Sequence, residues 1–407
     1  MKQLIIAILL ILVFGLDALN LQEAKDIALN SNPDLLAAQE ANKASKNSLW
    51  EAYLSIIPTA SLSGGYTRYD EEQIFQNTTN KYDVFYNYQF VVNQPIFNGG
   101  KVWLGAAMAK DTNKISNESY LSTRLKTISS LEQKYYAVLK NQALLEIAQK
   151  NLQTSKTNTE IAKVKFEAGS LSKAGYLQLQ AEQANKEVSL IQMEMLYQTS
   201  LLDLTNFLGI DKIDKLEEIS RTDFQAELEN LKKIDTIRIE HIVDEIMNIG
   251  LNQNPTMQIS RLSMQTSDKL LWMAGGNFLP SINLQYSKSW MKYDFENEYD
   301  DNVGQLGLNV SIPIFPLVDK GLEVAKARHN LKQAKYNLDS AENGIELAIK
   351  SSVLNMVSTA KTIHSEIMYT SAQNQVAISF YDYLSAKSSL LQLMGTEDVE
   401  QLNKIIK

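Results

Sequence analysis

The chain has 407 residues, a length that allows two or three ordinary domains. It contains no cysteine, which excludes disulfides and a lipid-modified N-terminal cysteine. Its formal net charge of −8 argues against a nucleic-acid-binding surface and is ordinary for a periplasmic or surface protein.

The first residues have the pattern of a secretory signal peptide. Met1 and Lys2 form a charged start, an apolar run follows from Leu4 to Phe14, and Ala18 is a small residue at a plausible cleavage point. The run is shorter than the about 20 residues that a membrane-spanning helix needs, and no later stretch reaches that length either. We therefore predict a signal peptide at residues 1–18, and we expect any membrane contact of the mature chain to be made by strands.

An internal repeat organises the rest of the chain. Leu29-Asn30-Ser31-Asn32-Pro33 returns as Leu251-Asn252-Gln253-Asn254-Pro255, and Pro95-Ile96-Phe97 returns as Pro313-Ile314-Phe315. The same register carries Trp50 onto Trp272. Each copy holds two strand-like segments followed by a long helical hairpin. We predict a first repeat at 19–209, a connector with short helices at 210–240 and a second repeat at 241–407.

A helix precedes the strands of each copy. The pairs Asn32-Pro33 and Asn254-Pro255 predict where it begins, because proline in the first helical turn loses no hydrogen bond. We expect these helices over about 34–57 and 256–278.

Four segments alternate between apolar and polar residues, which is typical of strands with one apolar face. They lie at about 59–70, 82–94, 281–293 and 302–312. Aromatic side chains on the apolar face match the outward-facing side of a membrane barrel. The lipid-facing candidates are Tyr82, Tyr86, Tyr88, Phe90 and Trp290. The alternative is a soluble sandwich with one buried face, but the signal peptide and the scarcity of other strands favour the barrel.

A helical hairpin follows each pair of strands. We expect Pro95 with Gly99-Gly100 to end the strand ladder in the first copy, and the region from Pro313 to Gly321 to end it in the second. The first hairpin is predicted at 102–207, and its longer arm would be on the order of 100 Å long. Gly169-Ser170-Leu171-Ser172 forms its turn. The narrow apolar stripe fits a self-contained coiled coil or one stave of an assembled cylinder, and the attached strands favour the stave.

Residues that catalysis would need are missing from the sequence. The one candidate metal cluster, His241 with Asp244 and Glu245, stands in charged sequence typical of a solvated face. Gly64-Gly65 and Gly275-Gly276 are better explained by bends or bulges than by ligand binding. We expect no enzyme activity, no cofactor and no metal site.

These elements together resemble the TolC family of outer-membrane channels. The resemblance covers nearly the whole mature chain. It is carried by the two Asn-Pro openings, the strand entries ending at Pro58 and Pro280, the strand exit from Gln94 to Lys101, and the turn from Phe166 to Ser172.

The resemblance implies an α+β membrane protein of Gram-negative bacteria, a homotrimer whose twelve strands form one outer-membrane barrel and whose hairpins form a tunnel into the periplasm. It implies an exit duct for tripartite efflux or type I secretion. The expected partners are a periplasmic membrane-fusion adaptor, an inner-membrane pump of the RND or ABC type, and outer-membrane lipid. No nucleic-acid partner is expected.

The strands themselves also require assembly. Four strands leave open edges that lipid does not tolerate, whereas eight or more can close into a barrel. Two chains would supply eight, but an eight-stranded barrel is filled by side chains, so a duct favours three chains or more. Transport would be passive, and the lumen would mildly favour cations. The lumen candidates are Asp83, Asn87, Gln89, Asn283 and Asn309.

The second hairpin, predicted at 319–394, is shorter than the first. Gly100 and Gly209 are 109 positions apart, whereas Gly321 and Gly395 are 74 apart. We place the loss at the tip, with the turn near Tyr369-Thr370-Ser371, so that the acidic gate residues of the family have no counterpart here. Three explanations of the short hairpin stay open: a natural variant with a wider entrance, a deletion product and a sequence error.

The first tip is intact apart from Gly175, where the family pattern predicts an acid. The adaptor-docking candidates at this tip are Lys165, Gly169, Ser170, Leu171, Ser172 and Leu177. Two alternatives to the export duct stay open: a non-conducting periplasmic coiled-coil scaffold, and a degenerate family member that inserts without transporting. The cargo is not encoded in the chain.

Overall fold

The computed structural model describes residues 18–74, 81–294, 300–301, 304–315, 317–365 and 370–406. The predicted signal peptide lies outside these residues except for Ala18. None of the helices within the described ranges has the length and apolar character that a bilayer crossing requires.

Long helices and one antiparallel sheet make up the described chain. The helices are α1 (Leu21–Ser31), α2 (Pro33–Leu54), α3 (Lys101–Glu167), α4 (Lys173–Leu208), α5 (Gln225–Lys233), α6 (Thr236–Gln253), α7 (Pro255–Gly275), α8 (Val318–Ser365), α9 (Thr370–Met394) and α10 (Val399–Ile406). The strands are β1 (Thr59–Ile74), β2 (Lys81–Asn98), β3 (Ser281–Tyr293), β4 (Asp300–Asp301) and β5 (Gln305–Ser311).

Local sequence explains where the first helices begin. Asn20 and Glu23 form a capping box, in which each side chain accepts a hydrogen bond from the other residue's backbone N–H. Asn32 and Asn254 cap the helices that open at Pro33 and Pro255: their side-chain oxygens accept from the backbone N–H groups two or three residues later. The two Asn-Pro pairs therefore start helices α2 and α7.

The sheet has the order β1-β2-β3-β4, and β5 also pairs with β3. All pairings are antiparallel. Part of the fourth predicted strand, residues 302 and 303, lies outside the described residues; β4 and β5 flank it. The ladder of β2 continues past Pro95, with one irregularity between Pro95 and Phe97, and ends at Asn98, directly before Gly99-Gly100.

The described residues form two compact units. One comprises the described residues of Met1–Glu40, Glu118–Gln258 and Ser340–Lys407, and the other comprises Ala41–Asn117 and Ile259–Asp339. The second unit contains the whole sheet. The core of the first is apolar and includes the fully buried Leu131, Leu204, Ile246, Ile349 and Met356.

In the first unit, buried polar groups join the connector to the helices. The Tyr135 hydroxyl lies 2.9 Å from the carbonyl oxygens of both Leu19 and Glu217. Burial raises the pKa of Tyr135 above its ordinary value, so the hydroxyl keeps its proton and donates it to these carbonyls. The same place is braced by backbone hydrogen bonds from Leu19 N to the Lys215 carbonyl and from Glu217 N to the Leu19 carbonyl.

A second buried cluster holds α10. The Lys387 ammonium donates to both carboxylate oxygens of Glu227, at 2.7 and 2.8 Å, and to Asn403 Oδ1 at 2.8 Å. The Tyr383 hydroxyl donates to the same carboxylate. The Lys387 side chain is only 7% exposed, so these partners, rather than water, stabilise the buried ammonium. The cluster therefore ties α5, α9 and α10 together.

Candidate functional site

The register of the sheet assigns each strand residue to one of two faces. Residues directly opposite one another in an antiparallel pair share a face. Tyr86 lies opposite Tyr66 and Lys292, and Tyr88 lies opposite Gly64 and Trp290. The apolar face includes Leu62, Tyr66, Tyr86, Tyr88, Phe90, Val92, Leu284, Tyr286, Trp290, Leu306, Leu308 and Val310, and the register also places Lys288, Lys292, Arg68 and Gln94 on it.

Four of the five lipid-facing candidates share this face. The rings of Tyr66 and Tyr86 are 5.3 Å apart across the strands. Tyr82, the fifth candidate, lies near the hairpin end and packs on Tyr69 and on Tyr293, at centroid distances of 5.8 and 4.6 Å. The register pairs Tyr293 with Phe85 of the other face, so alternation alone does not determine the neighbours of Tyr82.

Sequence reasoning missed the two lysines on the apolar face. Lys288 lies opposite Phe90, and its ammonium is 5.3 Å from the centroid of the Trp290 ring. A lysine on such a face can keep its stem along apolar surface while its charge reaches toward a more polar level. The alternation of the strand would have revealed it, since residue 288 has the parity of Tyr286 and Trp290.

The five lumen candidates lie on the opposite face, spread along its length rather than gathered in one cluster. Asn283 lies opposite Asn309 and donates to the side-chain oxygen of Asn93. Asp83 lies toward the other end, where Arg68 Nε is 3.6 Å from its carboxylate. This face is mostly polar, and its less polar members include Phe85, Val91, Pro95, Met291 and Tyr293.

The glycine pair in β1 makes room for side chains of β2. A Cβ at Gly65 would lie 2.2 Å from Asn87 Oδ1, and a Cβ at Gly64 would lie 2.9 Å from the Tyr88 ring. The pairing is uninterrupted at both residues, so of the two expected explanations, a bend or a bulge, the bulge is excluded at Gly64-Gly65. The register shift falls between Arg68 and Gln73 instead.

Both free edges of the sheet are exposed. Among the described residues, β1 pairs only with β2 and β5 pairs only with β3. Every residue of β1 is exposed, and Leu62 and Leu306 are each 71% exposed. Two edge strands and a bare apolar face are unfavourable for a protein alone in water.

Tight backbone contact joins the sheet to the helices. Gly99 has a positive φ of 67°, and a Cβ there would lie 2.1 Å from the carbonyl oxygen of Gly276. A Cβ at Gly276 would lie 2.2 Å from the carbonyl oxygen of Gly99. Only glycine at both positions allows the end of β2 to approach the turn before β3 this closely.

The six adaptor-docking candidates lie together at the tip of the first hairpin, in the turn and at the adjoining ends of α3 and α4. The Lys165 carbonyl accepts from the backbone N–H groups of Ser170 and Leu171, and Gly169 has a φ of 73°. Ser172 caps α4 by accepting from Gly175 N at 3.1 Å. Across the turn, the rings of Phe166 and Tyr176 stack at 5.5 Å, and Leu177 is 51% exposed.

The second hairpin has shorter arms. Helices α8 and α9 have 48 and 25 residues, compared with 67 and 36 in α3 and α4. Helix α9 begins at Thr370, so Thr370 and Ser371 belong to the returning arm. The remaining predicted turn residue, Tyr369, lies outside the described residues.

His241 of the candidate metal cluster lies beside Glu245 and Arg238. His241 Nδ1 is 3.1 Å from Glu245 Oε1 and 3.2 Å from Arg238, in an exposed part of α6. Across the residues that the structure describes, no group of three His, Asp or Glu side chains could hold a metal ion.

Comparison with known proteins shows what this chain is similar to. A family model described as "Outer membrane efflux protein" matches residues 25–210. Outer membrane protein TolC of Salmonella enteritidis is 22% identical over 385 residues, covering 90% of this chain and 72% of the relative. TolC of Escherichia coli strain K12 is 22% identical over 387 residues with the same coverage. The chain is therefore similar to outer membrane efflux proteins in residues 25–210 and to the TolC proteins over 90% of its length.

Solved structures of outer-membrane proteins share the fold of this chain. VceC from Vibrio cholerae has a TM-score of 0.72 at 13% identity, covering 92% of this chain and 96% of that chain. The CmeC outer membrane channel of Campylobacter jejuni has a TM-score of 0.71 at 17% identity, covering 95% and 89%. The predicted fold class of strands and long helical hairpins is confirmed, and so is the outer-membrane localisation.

Proposed function

We propose that this chain is the outer-membrane exit duct of a tripartite efflux or type I secretion system, a passive homotrimeric channel. The observation that carries the proposal is the open-edged sheet with one apolar and one mostly polar face. Such a sheet suits a barrel wall with lipid outside and water inside.

The free edges support assembly into a ring. In lipid, unpaired backbone groups of β1 and β5 would each cost several kcal/mol, so they need partners. Pairing β1 of one copy with β5 of the next satisfies both edges. Three copies, each contributing four strands when β4 and β5 are counted as one interrupted strand beside β3, make a barrel wide enough for an aqueous channel, whereas about eight strands leave an interior filled by side chains.

The polar face supports passive transport with a mild preference for cations. Asp83, Asn87, Gln89, Asn283 and Asn309 would line the lumen, and Asp83 is the acid among them. Substrate choice would then rest with the inner-membrane pump, of the RND or ABC type.

The first hairpin tip is the proposed docking place for a periplasmic membrane-fusion adaptor. Lys165, Gly169, Ser170, Leu171, Ser172 and Leu177 form this surface. Its turn is held by hydrogen bonds to the Lys165 carbonyl and by the stacked rings of Phe166 and Tyr176, so a partner would meet a preformed shape. The shorter second hairpin would leave the periplasmic entrance wider than in relatives with two long hairpins.

Two lysine variants three positions apart in β2, on opposite faces of the sheet, test which face lines the pore. In planar bilayers, purified protein is expected to give steady openings, and Gln89→Lys is expected to shift their ion selectivity toward anions. Val92→Lys, on the apolar face, is expected to leave selectivity unchanged in the pores that form but to reduce insertion, because lysine at mid-bilayer costs about 2–4 kcal/mol.

The proposal fails if folded protein gives no conductance, which would favour a periplasmic scaffold or a degenerate member that inserts without transporting. It also fails if Gln89→Lys conducts with unaltered selectivity. Extraction of the protein without detergent would identify the scaffold.

A further inference from the structure

We propose that three tryptophans on helices, Trp50, Trp103 and Trp272, lie in the lipid headgroup layer on the helical side of the membrane. This inference rests on the proposed function, since it requires that the apolar face of the sheet contacts lipid. It adds a second partner surface, on residues outside the strands. We call these three residues the helix-end tryptophans.

The side chains of the helix-end tryptophans are largely exposed to solvent in the protomer. Trp50 is 65% exposed, Trp103 is 66% exposed and Trp272 is 69% exposed. Tryptophan is large and apolar, so leaving three such side chains in water would be unfavourable. A layer that is apolar on one side and wet on the other suits an indole, whose ring is apolar and whose N–H is polar.

All three lie just beyond the same edge of the sheet. The antiparallel register puts the start of β1, the end of β2 and the start of β3 at one edge, since Asn98 pairs with Ser281 and Thr59 pairs with Asn93. Trp50 and Trp272 precede their strands in α2 and α7, and Trp103 follows β2 in α3. The three indoles therefore mark one level of the protein.

A second aromatic level lies about one bilayer thickness away. Trp290 in β3 lies opposite Tyr88 in β2, and Tyr88 is ten residues before the end of β2 at Asn98. Ten strand residues span about 33 Å, and a strand tilt of about 40° makes the distance from this edge of the sheet to Tyr88 about 25 Å, the height of the apolar band in outer-membrane barrels. The helix-end tryptophans lie just beyond that edge, outside the apolar band. The apolar face between the two levels carries Phe90, Val92 and Leu284.

Lys288 fits this placement of the bilayer. It stands within the apolar band opposite Phe90, but its ammonium reaches the ring of Trp290 at the second level. The charge is therefore directed toward an interface rather than toward the middle of the band.

The internal repeat argues that the helix-end tryptophans are not buried against another copy of the chain. Trp103 and Trp272 flank the junction between β2 and β3, where the first repeat meets the second inside one chain. That junction leaves both side chains about two-thirds exposed. A junction of the same kind between β5 and the β1 of another copy should leave Trp50 exposed as well. Lipid can contact all three tryptophans in the same way. Their exposure therefore favours lipid over another copy of the chain as the partner of these side chains.

The test is quenching of single-tryptophan variants by brominated lipid. Four full-length variants each keep Trp50, Trp103, Trp272 or Trp290 and carry Trp→Phe elsewhere, and each is reconstituted into phosphatidylcholine vesicles. Bromine placed on the acyl chains near the headgroups is expected to quench the helix-end tryptophans strongly. Bromine near the chain ends is expected to quench them much less.

Trp290 is the internal control because it belongs to the apolar face of the sheet. If Trp290 is quenched and the helix-end tryptophans are not, this inference is overturned while the proposed barrel stands. Quenching of the helix-end tryptophans by aqueous acrylamide alone would also overturn it, as would protection from both quenchers, which would indicate cover by another copy. If Trp290 also escapes the brominated lipid, the proposed function itself fails.

Discussion

Replacing Gly276 by alanine is expected to disrupt the joint between sheet and helices, whereas replacing the adjacent Gly275 by alanine is expected to be harmless. A Cβ at Gly276 would lie 2.2 Å from the Gly99 carbonyl oxygen, a backbone atom that cannot move aside cheaply. A Cβ at Gly275 would meet nothing within 4 Å, and its φ of −61° is helical. We expect a loss of about 3 kcal/mol for Gly276→Ala and a change below about 1 kcal/mol, of stabilising sign, for Gly275→Ala.

Hydrogen–deuterium exchange of the purified protein measures this contrast. Gly276→Ala should accelerate exchange at the end of β2 and the start of β3, and it should reduce the yield of heat-resistant oligomer. Gly275→Ala should match the parent in both measurements. Equal behaviour of the two variants would show that the contact of Gly99 with Gly276 does not hold this joint together.

Replacing Lys387 by methionine is expected to release the C-terminal helix. The substitution leaves the Glu227 carboxylate largely buried without its two hydrogen bonds from the ammonium, and removing one partner of a buried pair costs about 3–5 kcal/mol. The exposed pair of Lys350 and Glu346, four residues apart on α8, is the matched control. Lys350→Met should cost about 0.5 kcal/mol or less.

Local exchange rates distinguish loss of this cluster from general destabilisation. In Lys387→Met, exchange should rise in α5 and α10 before it rises in the tip of the first hairpin. Adding Glu227→Met should restore much of the protection, because two apolar side chains can replace a buried ion pair. If the double variant is as unprotected as the single one, the uncompensated carboxylate is not the cause.

Local patterns made much of the fold predictable. The alternation in β2, the two Asn-Pro helix starts and the glycine turn at Gly169 are all written within a few neighbouring residues, so sequence alone identifies them. The polar and apolar faces of the sheet follow from the same alternation.

Features that depend on distant partners were not predictable. Gly276 needs glycine because of Gly99, and Lys387 is buried because Glu227, Tyr383 and Asn403 come from other segments. The second strand was predicted to end at about residue 94, yet the pairing of Pro95 with Asn283 continues the ladder to Asn98. In each case the deciding contact joins residues far apart in the chain.

The most direct test of the account is cysteine cross-linking between the two free edges of the sheet. The chain has no cysteine of its own, so a pair with one cysteine in β1 and one in β5 gives a clean background. Positions on the polar face, such as Ser61 or Ser63 with Asn309 or Ser311, bring the thiols to the same side of the wall. After mild oxidation in membranes, denaturing gels are expected to show a ladder that ends at a closed ring of three chains. A ladder that ends at two chains, or the absence of cross-links at every pair in protein that is folded and inserted, would contradict the proposed barrel.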